Sequence, residues 1–466
     1  MENELTFGIE GTQDLQELAK SLETGYSYGV TDQTGLAAIR LESIEDSMKL
    51  LIEEEKTSKF FKEIKKSKGS STVEQWVSVE NIGSANFYTE GGLPEEYDEE
   101  LKREFELTKY LGTVGRVPNA AQSVKSLAQA KALIQKLKTI AMIREADIKS
   151  IFGNADNVSV EWNGYIAQFL KRVKRPSENI IDLRGKPITP ETFAKAASII
   201  EGNYGDPMNM KAWMAPTQFN DGYATGLIKN KYYVVGNNAI RTIADVPRTI
   251  EIGNGGGKIE TDLHLRHKGE TYLDNPHPKL NSLKTAFAAT HDKAPVTLNA
   301  ATASATVGDL AGSLLDAATY DYVVLPRNKY GAGAGFEIKS VVVAANKKVT
   351  FTLGDNGSPA GREASCFEVY RKLSSSSALS DYRYLKTIKA SETNMVDDGS
   401  DIPGTTYVMI FDWNFDQVLD FKQLLPMVRM DLAVIDDSVR WLQKLYGTPA
   451  LFNSNKMILV KNAGLA

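Results

Sequence analysis

The chain has 466 residues, of which 42% are hydrophobic and 24% charged. These proportions allow a large buried core and exclude a disordered chain. The formal net charge of −5 excludes the global positive field that drives binding to nucleic acid or anionic membranes. Cys366 is the single cysteine, so no disulfide can form within the chain. No stretch approaches the length of an apolar membrane span, and the acidic N-terminus lacks a signal-peptide core. We therefore expect several domains, folded in the cytosol.

The first 66 residues predict an arm followed by a helix. Residues 1–40 are rich in Gly, Thr and Ser and show little periodicity, which indicates an extended arm. Within 41–66 apolar residues recur at helical spacing, beginning with Leu41, Ile44 and Met48.

Residues 67–118 predict a long β-hairpin. Val73, Val77 and Val79 alternate along one face of the first strand, and Trp76 lies on the other. A second strand-like run follows a charged tip that contains Gly and Pro. A two-stranded hairpin has little core of its own, so we expect it to lean on another surface.

The next segment predicts a long helix over 119–152. Apolar residues follow 3,4 spacing, Asn119 can serve as N-cap, and Gly153 stands where a C′ glycine belongs. At 1.5 Å per residue the helix would be roughly 50 Å long. We interpret it as a strut within a peripheral domain over 119–160.

Residues 161–293 alternate helix and strand signals and predict an α+β domain. Thr189 and Pro190 indicate the N-cap and first residue of a helix, and 231–236 reads as a strand. The glycines of 251–260 predict a flexible loop.

From 294 to 404 helical patterning disappears and short strand-like runs alternate with turn signals. This pattern is typical of an all-β sandwich. Because a mixed pattern resumes over 405–466, the sandwich is predicted to be inserted into a discontinuous parent domain. Residues 439–461 fit both helix and strand, and extended structure is favoured, with a break at Gly447 to Pro449 and with Trp441 and Ile458 buried in the closing sheet.

No catalytic or metal site emerges from the motifs. Residues 25–29 match G-x-S-x-G without the strand and helix that this motif needs. Residues 253–258 lack the spacing and the Ser or Thr of a P-loop. The four histidines fall within 264–291, but a strand over 264–267 would point His264 and His267 to opposite faces. We predict surface histidines, paired aspartates that serve turns, and no enzyme activity, cofactor or metal.

The hairpin and helix resemble one family, the tailed-phage major capsid proteins with the Hong Kong 97-like fold. That family shows an aromatic/apolar pair, Glu-Gly-Gly-x-Pro, a strand and a long helix. The matching residues here are Phe87, Tyr88, Glu90, Gly91, Gly92 and Pro94, then a strand around Phe105 to Leu111, then the helix over 119–152.

Two further matches follow the helix. Phe152, Gly153 and Asn154 resemble its usual ending, and Trp162, Asn163 and Gly164 resemble the next motif, although Tyr165 replaces the usual Leu. Residues 208–221 and the closing strands are also similar to that family, and 294–404 resembles immunoglobulin-like or fibronectin-type domains. Together the matches cover most of 40–295 and 405–466.

The resemblance implies a fold, a function and partners. The fold would be α+β, with an N-terminal arm, an extended loop, a spine helix in a peripheral domain, an axial domain and an inserted all-β sandwich. The protein would self-assemble as hexamers and pentamers into the icosahedral head of a phage, formed in the host cytoplasm. Portal, scaffold and minor capsid or decoration proteins would be partners, and packaged double-stranded DNA would be bound only non-specifically.

The inter-subunit contacts are predicted on the extended loop: Trp76, Phe87, Tyr88, Glu90, Gly91, Gly92, Pro94, Lys102 and Arg103. Two alternatives remain. One is another virion or adhesion protein whose sandwich binds a glycan or receptor, and the other is an enzyme whose site the sequence does not reveal.

Overall fold

The computed structural model describes residues 58–81, 85–90, 92–93, 100–119, 130–224, 249–252, 255–266, 289, 291–376, 381–392, 394–433 and 437–464. All of them belong to one of the chain's two compact units, Ile52–Val124 with Ala130–Ala466. The predicted arm over 1–40, the first part of the helix predicted over 41–66 and the strand predicted at 231–236 lie outside the described residues.

Five α-helices are described: α1 (Lys59–Glu63), α2 (Ala130–Phe152), α3 (Tyr165–Arg172), α4 (Pro176–Asn179) and α5 (Pro190–Gly202). Short 3-10 helices occur at Pro207–Asn209, Leu263–Arg266 and Ser454–Lys456, and a π-helix at Gln218–Ala224. The helix predicted through residue 66 ends at Glu63, and Lys66–Lys68 forms a strand instead. The start of α5 agrees with its prediction, with Thr189 as N-cap and Pro190 as first residue.

Among the described residues, twelve strands form a hairpin and two larger sheets. They are β1 (Lys66–Lys68), β2 (Val73–Asn81), β3 (Glu100–Leu107), β4 (Lys109–Pro118), β5 (Ile180–Asp182), β6 (Met210–Met214), β7 (Thr249–Ile252), β8 (Gly255–Thr261), β17 (Thr406–Asp412), β18 (Leu419–Asp431), β19 (Ser438–Leu451) and β20 (Met457–Ala463). The sheets have the orders β1-β18-β19-β4 and β5-β20-β17-β6-β8-β7, and β2 pairs with β3.

Eight strands are described between β8 and β17, and they form two separate sheets. They are β9 (Ala303–Asp309), β10 (Ala318–Asn328), β11 (Gly331–Ala332), β12 (Phe336–Val343), β13 (Lys347–Leu353), β14 (Cys366–Leu373), β15 (Arg383–Lys389) and β16 (Asn394–Asp397). The first sheet has the strand order β11-β10-β14-β15, and β12 also pairs with β10. The second sheet has the strand order β16-β13-β9. Their own core includes Tyr322, Phe351 and Phe367, all fully buried. We call residues 303–397 the β unit.

The six-stranded sheet is covered on both faces. The core on one face includes Phe60, Tyr165 and Trp213, which pack edge to face with ring centroids 5.2–5.6 Å apart. The core on the other face places Phe193 and Ile200 of α5 against the sheet. Burial on both faces explains why all five residues of β6, including Lys211, are buried and why its burial does not alternate.

Two predictions for the Gly-rich and C-terminal segments were wrong in detail. The loop predicted over 251–260 is instead two antiparallel strands, β7 and β8, because the glycines pair as sheet residues. β19 continues through the expected break at Gly447 to Pro449 and ends at Leu451. Gly447 pairs there with Gln423, so the ladder overrides the local turn signal.

The favoured extended structure of the C-terminus is confirmed, and Trp441 and Ile458 are fully buried. They do not close one sheet, however. Trp441 lies on β19 in the four-stranded sheet, whereas Ile458 lies on β20 in the six-stranded sheet. The C-terminal segment therefore contributes to both sheets of the body.

The two motif glycines after α2 are required by close packing. A Cβ on Gly153 would overlap the Lys149 and Trp162 carbonyl oxygens, and one on Gly164 would overlap the end of α2. The Gly164 amide donates to the Gly153 carbonyl at 2.8 Å. Gly153 thus occupies the predicted position, but its φ is not positive, so close approach and not a left-handed cap explains the residue.

Two ion pairs, one within the β unit and one on the side of α2, lie next to each other where these parts meet. Arg327 of β10 pairs with Glu368 at 2.5 Å, and Lys149 of α2 pairs with Glu161 at 2.8 Å. All four line one cavity of about 80 Å³ together with Cys366. Burial raises the pKa of the Cys366 thiol to about 12. The two neighbouring ion pairs bring both charge signs to this junction, which keeps it electrically balanced.

Gly115 of β4 allows a test of packing in the four-stranded sheet. A Cβ at this position would overlap the fully buried indole of Trp441. We expect Gly115→Ala to lower the free energy of unfolding by about 1–3 kcal/mol, the usual cost of overpacking. Gly202→Ala, where an added Cβ would point into open space, is the matched control and should be neutral or slightly stabilising in urea unfolding. Equal effects of the two substitutions would contradict this account.

Lys66 predicts a pH dependence of stability. Its ammonium donates to the carbonyl oxygens of Lys62 (2.9 Å) and Ile64 (3.0 Å), but burial lowers its pKa from 10.5 to about 8. Between pH 8 and 10.5 the unfolded chain therefore binds more protons at this group, so its contribution to stability rises with pH. The stability of the wild type relative to Lys66→Met should increase across this window in urea titrations. Lys68→Met, at an exposed lysine of the same strand, should keep the pH dependence of the wild type instead.

Candidate functional site

The β2–β3 hairpin turns its apolar face away from the chain that carries it. The strand register places Val77 opposite Arg103, Val79 opposite Leu101, and Gln75 opposite Phe105. These side chains share one face of the ladder because alternate residues point the same way. Val77, Val79, Leu101 and Phe105 are 60%, 61%, 64% and 58% exposed. An exposed face that is mainly apolar, with Arg103 and Gln75 among its members, is typical of an interaction surface.

The opposite face of the hairpin is polar and lies against the body. Glu74 and Glu106 are both more than nine-tenths buried. They lie opposite each other in the ladder, and Trp76 lies opposite Glu104. The usual arrangement of a half-buried hairpin, with apolar residues inward and polar residues outward, is reversed here.

Arg172, the last residue of α3, is the centre of this polar contact. Its Nε lies 2.9 Å from a Glu104 carboxylate oxygen, and its Nη2 lies 2.6 Å from Glu106 and donates to the Phe105 carbonyl at 3.1 Å. The guanidinium also lies over the Trp76 ring, 5.0 Å from the centroid. A planar fork of donors suits such a convergence of two carboxylates and a ring.

Burial dominates the electrostatics of Glu106. It raises the pKa of this carboxyl, although the 2.9 Å hydrogen bond from Asn163 and the charge of Arg172 act in the opposite direction. Asn163 belongs to the motif that follows α2, so this motif contacts the base of the hairpin. The amide and the guanidinium together supply the donors that a buried carboxylate requires.

The predicted contact residues divide between the two sides of the hairpin. Phe87, Tyr88, Glu90 and Gly92 are exposed, and Phe87 is fully so. Gly91 and Pro94 lie outside the described residues. Arg103 lies on the outward face, whereas Lys102 pairs with Glu104 at 3.4 Å. Trp76 packs edge to face on Phe452 of its own chain, 5.3 Å between ring centroids.

Sequence reasoning missed several residues of this surface. Leu101, Phe105 and Leu107 alternate along β3 and could have been recognised by their period of two. The role of Arg172 could not be recognised from the sequence, because its partners Glu104 and Glu106 are more than 60 residues away.

One buried group carries metal-ligand chemistry: Asp147, Asp262 and His264, whose ligand atoms lie within 4.8 Å of one another. It is the only such group among the described residues. Asp262 accepts hydrogen bonds from the amides of Lys59 (2.8 Å), Phe60 (2.9 Å) and His264 (2.8 Å), and Asp147 accepts from that of Phe61 (2.7 Å).

The two carboxylates therefore act as hydrogen-bond acceptors for the first amides of α1. The first amides of a helix have no partner within it, and acidic groups there also complement the helix dipole. The prediction of a surface histidine was wrong for His264, which is buried in a 3-10 helix (Leu263–Arg266) rather than on a strand. His291 is exposed as predicted, and His267 and His277 lie outside the described residues. Within the described residues no helix is long and apolar enough to cross a membrane.

No protein-family model matches the chain. It is 22% identical over 460 residues to the protein assigned as major capsid protein in Enterococcus phage phiEF24C, covering 96% of this chain and 94% of that one. It is 21% identical over 460 residues to the major capsid protein of Staphylococcus phage K, covering 96% of this chain and 95% of that one.

Two solved structures are also similar. The capsid of a native GTA particle is 7% identical with a TM-score of 0.48, over 92% of this chain and 96% of that one. The capsid of Cyanophage P-SCSP1u is 8% identical with a TM-score of 0.44, over 94% and 97%. These TM-scores by themselves define no function. The names of the sequence relatives support a capsid-forming, structural function rather than an enzymatic one, with the virion capsid as its location.

Proposed function

We propose that this chain is the major capsid protein of a tailed phage, which self-assembles as hexamers and pentamers into the icosahedral head enclosing the genome. The observation that carries the proposal is the reversed hairpin. Val77, Val79, Leu101 and Phe105 form an apolar strip that the chain's own body leaves exposed. A second copy that covers this strip would bury it, and repetition of the same contact by symmetry closes a shell.

The fold proposed for this subunit is Hong Kong 97-like. α2 with the four-stranded sheet corresponds to the peripheral domain and its spine helix, and the six-stranded sheet to the axial domain. β2 and β3 correspond to the extended loop. The order of these elements along the chain and the likeness to major capsid proteins over 96% of its length support this assignment. The proposed domain boundaries are those predicted from the sequence: 1–66, 67–118, 119–160, 161–293, 294–404 and 405–466.

We further propose that 294–404 is an inserted immunoglobulin-like β-sandwich. β8 and β17 belong to the same six-stranded sheet, whereas every described strand between them belongs to two other sheets with a separate core. This is the connectivity expected of a domain inserted into a parent sheet. Tyr322, Arg371 and Asp397 link the two inserted sheets, with Asp397 accepting at 3.0 Å from the tyrosine and 2.6 Å from the arginine.

Other copies of the chain are the main proposed partners. Portal, scaffold and minor capsid or decoration proteins would meet the assembled shell at specialised positions. The net charge of −5 favours only non-specific contact with packaged double-stranded DNA, because strong phosphate binding needs an excess of Lys and Arg.

Electron microscopy of the expressed chain tests the proposed assembly. The wild type should form round shells or six-fold capsomers, alone or with its assembly partners. Val79→Glu with Phe105→Glu should abolish them, because burying two unpaired carboxylates at an interface is costly. Both positions are exposed, so urea unfolding should change by less than about 0.5 kcal/mol.

Val342→Glu is the matched control, since Val342 is 69% exposed on β12 of the β unit. This variant should assemble like the wild type. A wild type that stays monomeric under all these conditions, or a double variant that assembles normally, would contradict the proposal.

Deletion of residues 294–404 tests the insertion. The shortened chain, closed by a short Gly/Ser linker, should fold and still assemble, because the removed strands have their own core and the six-stranded sheet keeps all its strands. Circular dichroism and electron microscopy provide the measurements. Failure of the shortened chain to fold would count against an inserted domain.

A further inference from the structure

The loop that follows α5 holds a tyrosine in a backbone conformation that disfavours it. Tyr204 has a φ of 58°, in the left-handed region that bulky L residues rarely adopt. Its amide donates to the Glu201 carbonyl at 3.0 Å. The next amide, of Gly205, donates to the Ile200 carbonyl at 2.8 Å. These two bonds define a Schellman ending, in which the left-handed position normally carries glycine. Here the glycine stands one position later, so the strain falls on Tyr204.

The side chain of Tyr204 points to solvent. It is 93% exposed, and Met208, four residues later, is 62% exposed. The body of the chain therefore buries little of either side chain. A strained residue that persists without a packing reason inside its own chain indicates a functional constraint. A tyrosine ring and a methionine together offer a large apolar area to a partner.

The loop is fixed from within. The Asp206 carboxylate accepts from the Met208 amide and from the Asn209 side chain, both at 2.9 Å. The Asp206 amide donates to the buried carboxylate of Asp412 at 3.2 Å. Tyr204 and Met208 are therefore held on an ordered backbone, so a partner that binds them does not have to order the loop.

The loop lies next to the base of the β2–β3 hairpin, because both contact the turn between β19 and β20. Phe452 of this turn packs on Trp76 of the hairpin, with 5.3 Å between ring centroids. The Asn455 carbonyl accepts from the Asn203 side chain at 3.0 Å. Three residues of chain span at most about 10 Å. A partner that contacts the hairpin is therefore close to Tyr204 as well.

We infer that Tyr204 and Met208 form an apolar contact with a second copy of this chain. The inference rests on the proposed function, in which a second copy covers the neighbouring hairpin strip. An aromatic side chain on a rigid loop, with a flexible methionine beside it, suits the centre of a protein contact. The strain at Tyr204 is retained because the ring is needed in the assembly, although glycine would suit the free chain better.

Tyr204→Gly separates the strain from the contact. Glycine adopts a positive φ readily, so the folding equilibrium constant of the unassembled chain should rise about fivefold in urea unfolding. The ring is lost, so the fraction of chain in shells or six-fold capsomers should fall about tenfold or more at equal concentration. Sedimentation and electron microscopy measure this fraction. A residue with a merely structural role would not raise stability and lower assembly together.

Two further variants complete the test. Tyr204→Phe keeps the ring and should assemble like the wild type. Asn346→Gly is the matched control, since Asn346 has the same φ of 58° and is exposed in the turn between β12 and β13. It should assemble normally, and its stability should change little, because asparagine already tolerates this conformation.

Three results would overturn the inference alone. Normal assembly of Tyr204→Gly beside an assembling wild type would show that a second copy does not use this loop. Lower stability of that variant would show that Tyr204 is not strained. Assembly of Tyr204→Phe no better than that of Tyr204→Gly would show that the ring is not the contacting group. Failure of the wild type itself to assemble would instead contradict the proposed function, and the inference with it.

Discussion

The outward apolar face of the β2–β3 hairpin is the constraint on which the functional interpretation depends. A two-stranded hairpin is marginally stable in water and normally gains stability by burying its apolar face on its own domain. Here Glu74 and Glu106 occupy the inward face, while Val79 and Leu101 point to solvent. Arg172 and Asn163 form hydrogen bonds with the buried carboxylate of Glu106. The free energy of burying the outward apolar side chains can be gained only on another surface. Such a subunit is structurally incomplete by itself.

The body provides a firm platform for this hairpin. Its main core connects α1, α2 and α3 with residues from both larger sheets, and Phe60 alone packs on Tyr165 and Trp213. The short helix α1 contributes Phe60 and Phe61 only because Asp147 and Asp262 satisfy its first amides. Without those buried carboxylates a five-residue helix would be unstable, because the cost of nucleation exceeds the gain from so few bonds. The same buried polar contact therefore supports the core and the entry of the chain into β1.

Much of the secondary structure is predictable because it follows local patterning. The strands β10 and β13 to β15, the N-terminus of α5 and the end of α2 at Phe152 all carry periodicity or capping signals in the sequence. The failures have a common physical origin. The glycines of 255–257 form a strand because β6 and β7 lie on either side of β8. His264 is buried next to Asp147 of α2, a residue more than 100 positions away in sequence. Tertiary partners decided these cases, and no local signal could reveal them.

The orientation of the hairpin is likewise decided by a tertiary contact and not by local patterning. Alternation along β2 shows which residues share a face, but only the position of Arg172 determines which face is inward. The predicted contact set therefore included Trp76, which packs on Phe452 of its own chain, and omitted Leu101 and Phe105. A pattern of period two is symmetric with respect to the two faces of an isolated ladder.

The β unit shows the opposite treatment of an exposed strand. β12 pairs only with β10 among the described strands, yet its register shifts at a bulge where Ser340 adopts a φ of 58° and donates its amide to Asp321 at 2.9 Å. The neighbouring Lys339 and Glu337 form an ion pair at 2.7 Å. Bulges and charges on an edge strand prevent further strand addition. The chain thus blocks association at this edge while exposing an apolar strip on the hairpin. This contrast argues that the apolar strip of the hairpin is a contact surface. If the chain simply tolerated exposed apolar residues, the edge strand β12 would need no bulge or ion pair to protect it.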